Sequence, residues 1–182
     1  MAKLVFLLEE PSMEEVLTVV LPKILPPTTA FQLIPHTGKS DLEKSIPRKL
    51  AAWNEPDVRF VVIRDKDSGD CVIIKKNLAQ ICATAGRGDT LVRIVCHELE
   101  SWLLGDLAAV EAAYNVKGLS AKQGKRKFRQ PDLLANASDE IKNLIPNYQK
   151  IAGARTISPH LNIDKNHSHS FNVFINGVRG LV

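Results

Sequence analysis

The chain has 182 residues, 45% hydrophobic and 24% charged, a balance that fits one soluble globular domain with a full core and excludes disorder, collagen and coiled coil. The net charge of +4 hides an asymmetry: residues 1–115 carry 13 basic and 16 acidic side chains, net −3, whereas residues 116–182 carry 11 and 4, net +7. No apolar run approaches the roughly 18 residues a membrane span needs, the first residues lack a secretory pattern, and Cys71, Cys82 and Cys96 are too widely spaced for a zinc knuckle or a disulfide framework. A cytoplasmic location is expected.

Lys3 to Leu8 is too short for a helix and predicts a strand. A helix should follow from Pro11, with Ser12 and Glu15 at capping-box spacing and Pro22 ending or kinking it. Ala30 to Ile34 predicts a second strand. Ser40 and Glu43 repeat the capping-box spacing before a helix ending near Trp53, a reading weakened by Pro47. Val58 to Ile63 is β-branched and continuously apolar, as a central strand covered on both faces should be. A helix from about Asp70 to Ala85 should end at Gly86. Leu91 to Cys96 predicts a fourth strand, and His97 to Tyr114 one continuous helix.

Strand alternating with helix four times implies an α/β fold with a mainly parallel sheet, right-handed crossovers and helices on both faces. Residues 1–115 form that core within a single domain, 1–182. Residues 116–182 predict a basic, mostly helical C-terminal extension packed on the sheet, its apolar stripe formed by Phe171, Phe174, Ile175, Val178 and Leu181.

In such a fold, sites form beyond the carboxyl ends of strands, and acidic residues gather there. Asp65 and Asp67 follow the best strand, and residues i and i+2 of an extended segment point to one side, so both carboxylates are expected to converge on one cation. Hard oxygen ligands favour magnesium or manganese. A plain surface turn with a helix cap at Ser68 or Asp70 is the structural alternative. Glu9 and Glu10 end the first strand in the same manner, as a metal ligand or a general acid/base, the structural alternative being that Glu10 and Glu14 favour the positive end of a helix dipole. Glu98 and Glu100 lie two apart on the expected helix, so at most one reaches the acidic edge. No HExxH spacing supports zinc hydrolysis, and no GxxxxGKS loop supports ATP binding of that kind.

Cations supply the counterpart. His36, Lys39 and Lys44 follow the second strand, and Lys122, Lys125, Arg126, Lys127 and Arg129 crowd eight residues. With only Phe128 interleaved, this stretch suits phosphate contact better than base stacking. His160, His167 and His169 are open between structural hydrogen bonding and a catalytic role, and their spacing alone defines no metal site.

The segments LLEEPSMEE at 7–15, RDKDSGD at 64–70 and HELESWLLGD at 97–106 resemble the Toprim superfamily. With IPHTGKSDL at 34–42 and NHSHSFNVFINGVRGL at 166–181, the likeness narrows to small prokaryotic proteins grouped as a domain of unknown function. The resemblance implies a Toprim-like (Rossmann-like) fold and magnesium-dependent cleavage or joining of phosphodiesters, as in topoisomerases, primases and the overcoming-lysogenization-defect nucleases. Glu9 would be the strand-one glutamate and Asp65 and Asp67 the metal pair, completed by Glu100 or, failing that, Glu98. Those nucleases usually place a further acid where this chain has Met13, and a glycine where it has Glu10; Glu14 is the alternative acid, and the second metal is open. The resemblance also implies a separate ATPase partner and a role in defence against phage or plasmids.

The expected function is thus a metal-dependent nuclease, with Lys39 and the 122–129 stretch neutralising DNA or RNA phosphates. The alternative is a subunit of the same fold that binds nucleic acid or a partner without chemistry. A dehalogenase-like phosphatase is disfavoured, because its DxD opens the first strand rather than ending the third.

Overall fold

The computed structural model describes residues 3–182. Four strands, β1 (Lys3–Leu8), β2 (Ala30–Pro35), β3 (Val58–Asp65) and β4 (Leu91–Val95), form one parallel sheet in the order β2-β1-β3-β4. The expected α/β, Rossmann-like architecture is therefore present, with each strand within two residues of its predicted limits. Between the strands run α1 (Pro11–Ile24), α2 (Lys39–Ala52) and α3 (Cys71–Thr84).

Alternation along the strands sorts the core into two halves. Leu4, Phe6, Leu8, Val61 and Ile63 face α1 and the C-terminal helices, whereas Val5, Leu7, Phe60, Val62 and Val92 face α2 and α3. Residues with period two point to opposite faces, so central strands covered on both sides must be apolar throughout. β1 connects through α1 to one side and β3 through α3 to the other, which puts the switch point of the sheet between their carboxyl ends.

After β4 the chain is helical: α4 (Glu100–Leu104), α5 (Leu107–Tyr114), α6 (Ala137–Leu144), α7 (Lys150–Ile157) and α8 (His169–Arg179). The extension packs on the sheet as expected, and Ile141, Ile157, Phe171, Phe174 and Val178 join the same core as β1 and α1. Among the described residues no helix is long and apolar enough to cross a membrane.

Three local expectations need correction. The helix expected over 97–114 is broken at Gly105 and Asp106. Gly105 approaches the 166–168 loop so closely that an added Cβ would lie 2.0 Å from Asn166 Oδ1, and Asp106 starts α5 by accepting from Ala109 N. Neither capping box forms: Ser12 donates to Glu10, Glu15 pairs with Arg155, and Glu43 pairs with Arg64. Long-range cations outcompete the local backbone donors for those two glutamates. Pro22 lies in the last turn of α1, which ends two residues later at Ile24 as its proline leads one to expect, with Leu25 N still bonding Leu21 O. Pro47 sits within α2, which Leu42, Ile46 and Leu50 hold against the sheet.

Candidate metal and phosphate site

The pairing of β1 with β3 brings their carboxyl ends together, as Glu9 N bonding Ile63 O shows. Glu9 Oε2 in turn accepts from Asp65 N at 2.9 Å. Asp65, only 3% exposed, accepts from Leu99 N through Oδ2 at 3.4 Å, and its Oδ1 has no partner. Glu100, fully buried at the start of α4, accepts from the Tyr148 hydroxyl at 3.1 Å through Oε1, and its Oε2 is likewise unpartnered. Of the two glutamates in this segment, Glu100 reaches the acidic edge. Glu98 turns away to accept from Ser138 N in the first turn of α6.

A lysine stands among these acids. Lys150 Nζ lies 2.6 Å from Glu10 Oε2, while Ser12 donates to Glu10 Oε1 at 2.5 Å. Burial pushes the carboxyls of Glu9, Asp65 and Glu100 above the ordinary range, and the Lys150 ammonium opposes that rise at Asp65 and Glu100. Burial acts against the charge on Lys150, but Glu100, Glu10 and Asp65 together hold its pKa above that of a free lysine.

Asp67 departs from the expected geometry. β3 ends at Asp65, and Asp67 adopts a left-handed conformation with φ 52°, so the rule for extended segments fails two residues past the strand. Its N–H donates to His97 O, and its carboxylate pairs with Lys39 Nζ at 3.2 Å, both side chains half-exposed. The extended geometry expected to turn both aspartates to one side is therefore absent: Asp65 is buried and Asp67 half-exposed, while the Asp67 charge adds to the rise at Glu9. Asp70 does cap α3, accepting from Val72 N and Ile73 N.

Among the described residues, no three His, Cys, Asp or Glu converge tightly enough to form a ready metal-binding group. In donor type the site nevertheless suits a hard divalent cation, because two buried carboxylate oxygens, Asp65 Oδ1 and Glu100 Oε2, lack hydrogen bonds. Glu9, Asp65 and Glu100 are the residues that could hold such an ion, with Asp67 at the rim.

The basic stretch is built differently. Gln123 anchors it by accepting from Leu107 N and donating to Leu104 O and Phe128 O, and Phe128 is buried in the core. Lys125, Arg126 and Arg129 are exposed, Lys122 is half-buried, and Lys127 pairs with Glu140 of α6 at 2.6 Å. Since Glu98 holds the first turn of α6, that helix links the basic stretch to the acidic segment. His36 is structural: its Nδ1 donates to Leu8 O and its Nε2 pairs with Ser45.

Sequence reasoning missed Lys150 and Tyr148. Both belong to the polar segment NYQK, which carries no periodicity or motif that would single them out.

Fold and crevice together define a Rossmann-like α/β protein with a buried carboxylate site at the switch point of its sheet. The chain belongs to the family described as a domain of unknown function, DUF4276, whose model matches residues 8–179. No curated protein and no solved structure matches it.

Proposed function

We propose that this protein is a magnesium-dependent phosphodiesterase of the Toprim type, acting on nucleic acid in a prokaryotic defence or DNA-maintenance setting beside a separate ATPase. The observation that carries the reading is the pair of buried, unpartnered oxygens on Asp65 and Glu100 at the switch point. A bound magnesium ion supplies polarisation of the scissile phosphate and stabilisation of the departing oxygen. Asp65 and Glu100 would hold the ion, with Glu9 as a further ligand or as the general base toward water. Lys39 leaves Asp67 for substrate phosphate, freeing that carboxylate for the rim, while Lys122, Lys125, Arg126, Lys127 and Arg129 neutralise flanking phosphates.

Calorimetric titration of manganese into wild type, Asp65→Asn and Asp67→Ala tests the site without the natural substrate. Binding should vanish in Asp65→Asn and weaken in Asp67→Ala, and only wild type should cleave DNA or RNA in a magnesium-containing screen. Equal binding by all three proteins would refute the assignment.

One observation favours a second reading, a nucleic-acid- or partner-binding subunit without chemistry. Lys150 already pairs with Glu10 at the acidic edge, and Met13, buried in the core, stands where the resemblance places a further acid. This reading expects salt-sensitive nucleic-acid binding that survives Asp65→Asn.

A further inference from the structure

Among the described residues β4 is an edge strand, paired only with β3. Val95 turns its carbonyl to β3, where it accepts from Lys66 N, so by alternation Val92 and Ile94 turn their backbone groups outward. Val92 O receives the Arg93 guanidinium at 3.0 Å, and Cys96 N donates to Ser170. Ile94 is left with an N–H and a C=O facing outward between those two closures. Such groups are a template for an added strand.

The edge does not lie flat on the surface. α3 rises on one side of it and α8 on the other, enclosing a groove of about 580 Å³, within the range of ligand and peptide sites. Val72, Ala79 and Val173 make the walls apolar, and Val72 is 71% exposed. Lys75, Lys76 and Arg93 line the same groove, with no Asp or Glu among the lining residues. Asp70, next to the lining residue Cys71, is engaged with the first turn of α3, and Asp132 with Ser168 and Ser170.

We propose that this groove docks an extended, acidic segment of a partner protein, which adds to β4 as a fifth strand. Main-chain pairing at Ile94 supplies the register, acidic side chains on one face of the added strand meet Lys75 and Lys76 of α3, and the apolar side chains alternating with them meet Val173 of α8 on the other face. A second copy of this chain fits poorly, because two-fold pairing of β4 with itself would bring identical basic rims together. Nucleic acid fits poorly too, since the walls are mainly aliphatic, with no Phe, Tyr or Trp among the lining residues and His169 their one ring. The surface is separate from the carboxylate crevice, so it stands or falls independently of the proposed chemistry.

A blocked, fluorescein-labelled peptide of alternating Glu and Val, with its Lys-Val counterpart as control, probes the groove by anisotropy. Wild type should bind the acidic peptide saturably and the basic one not at all. The exposed double reversal Lys75→Glu/Lys76→Glu should weaken binding at least about tenfold. Amide hydrogen exchange at Ile94 should slow in the complex, a readout that simple charge attraction would not move. No saturable binding, or binding indifferent to the reversal, overturns the proposal. So does an oligothymidylate that depends on the same lysines when the acidic peptide does not, or a dimer of the free protein that dissociates in the double reversal.

Discussion

The acidic crevice and the basic stretch 122–129 hold similar numbers of like charges, yet the fold treats them in opposite ways. Glu9, Glu10, Asp65 and Glu100 are drawn together because parallel pairing fixes where β1 and β3 end and the α4 start is packed against them. The five cations sit on short turns anchored by one glutamine and one phenylalanine, which fix the backbone and leave most of the side chains in water. A sheet concentrates charge at its ends and desolvates it; a surface connection displays charge without perturbing it. The first arrangement suits chemistry and the second suits adhesion to a polyanion.

Asp65→Asn should break the crevice most severely, lowering any metal-dependent cleavage by at least about 100-fold. Its melting temperature should not fall, since a buried charge is removed while the volume is kept. A loss of both function and fold would show that Asp65 is structural. Gly153→Ala comes next: the added Cβ would lie 2.1 Å from the Tyr148 ring, forcing the ring off α7 and loosening its bond to Glu100. Urea denaturation should show a loss of about 1–3 kcal/mol.

On the basic side, Lys122→Glu/Lys125→Glu/Arg126→Glu should reduce nucleic-acid affinity about tenfold at low salt and flatten its salt dependence. Stability should stay within about 0.5 kcal/mol of wild type. Should this triple variant also lose manganese binding, the separation of the two regions would be wrong.

The smallest effect is on pH dependence. Asp65 has a folded pKa raised above 3.8, so the folded state holds the proton more tightly than the unfolded chain, and stability falls as pH rises through the raised value. Glu15, lowered chiefly by its hydrogen bond from Arg155, has the opposite sign: its contribution is present above the ordinary carboxylate range and lost as pH falls. The two trends partly cancel in the wild type. Chemical denaturation across pH should isolate the first, the advantage of Asp65→Asn being absent near pH 3.8 and growing above it.

Much of this was legible in the residues. The four apolar runs are the four strands, and the expectation that strands one and three end side by side, with Glu9 and Asp65 at their tips, holds. Phe171, Phe174, Ile175 and Val178 are buried as their spacing indicates. The reading of Asp67 failed because it extended strand geometry past the strand, whereas the chain turns left-handed there to meet His97. The single long helix failed because its interruption at Gly105 is set by a loop sixty residues further along the chain, around Asn166.

By itself the sequence determined what depends on neighbours in the chain: hydrophobic period, strand ends and the placing of carboxylates after them. Tertiary structure alone decided which of those carboxylates are buried and what stands beside them. Lys150 and Tyr148 reach Glu10 and Glu100 only because the C-terminal helices pack onto the same sheet face as α1. Burial and Coulomb energy depend on distance through space, and separation along the chain leaves that distance undetermined until the core has formed.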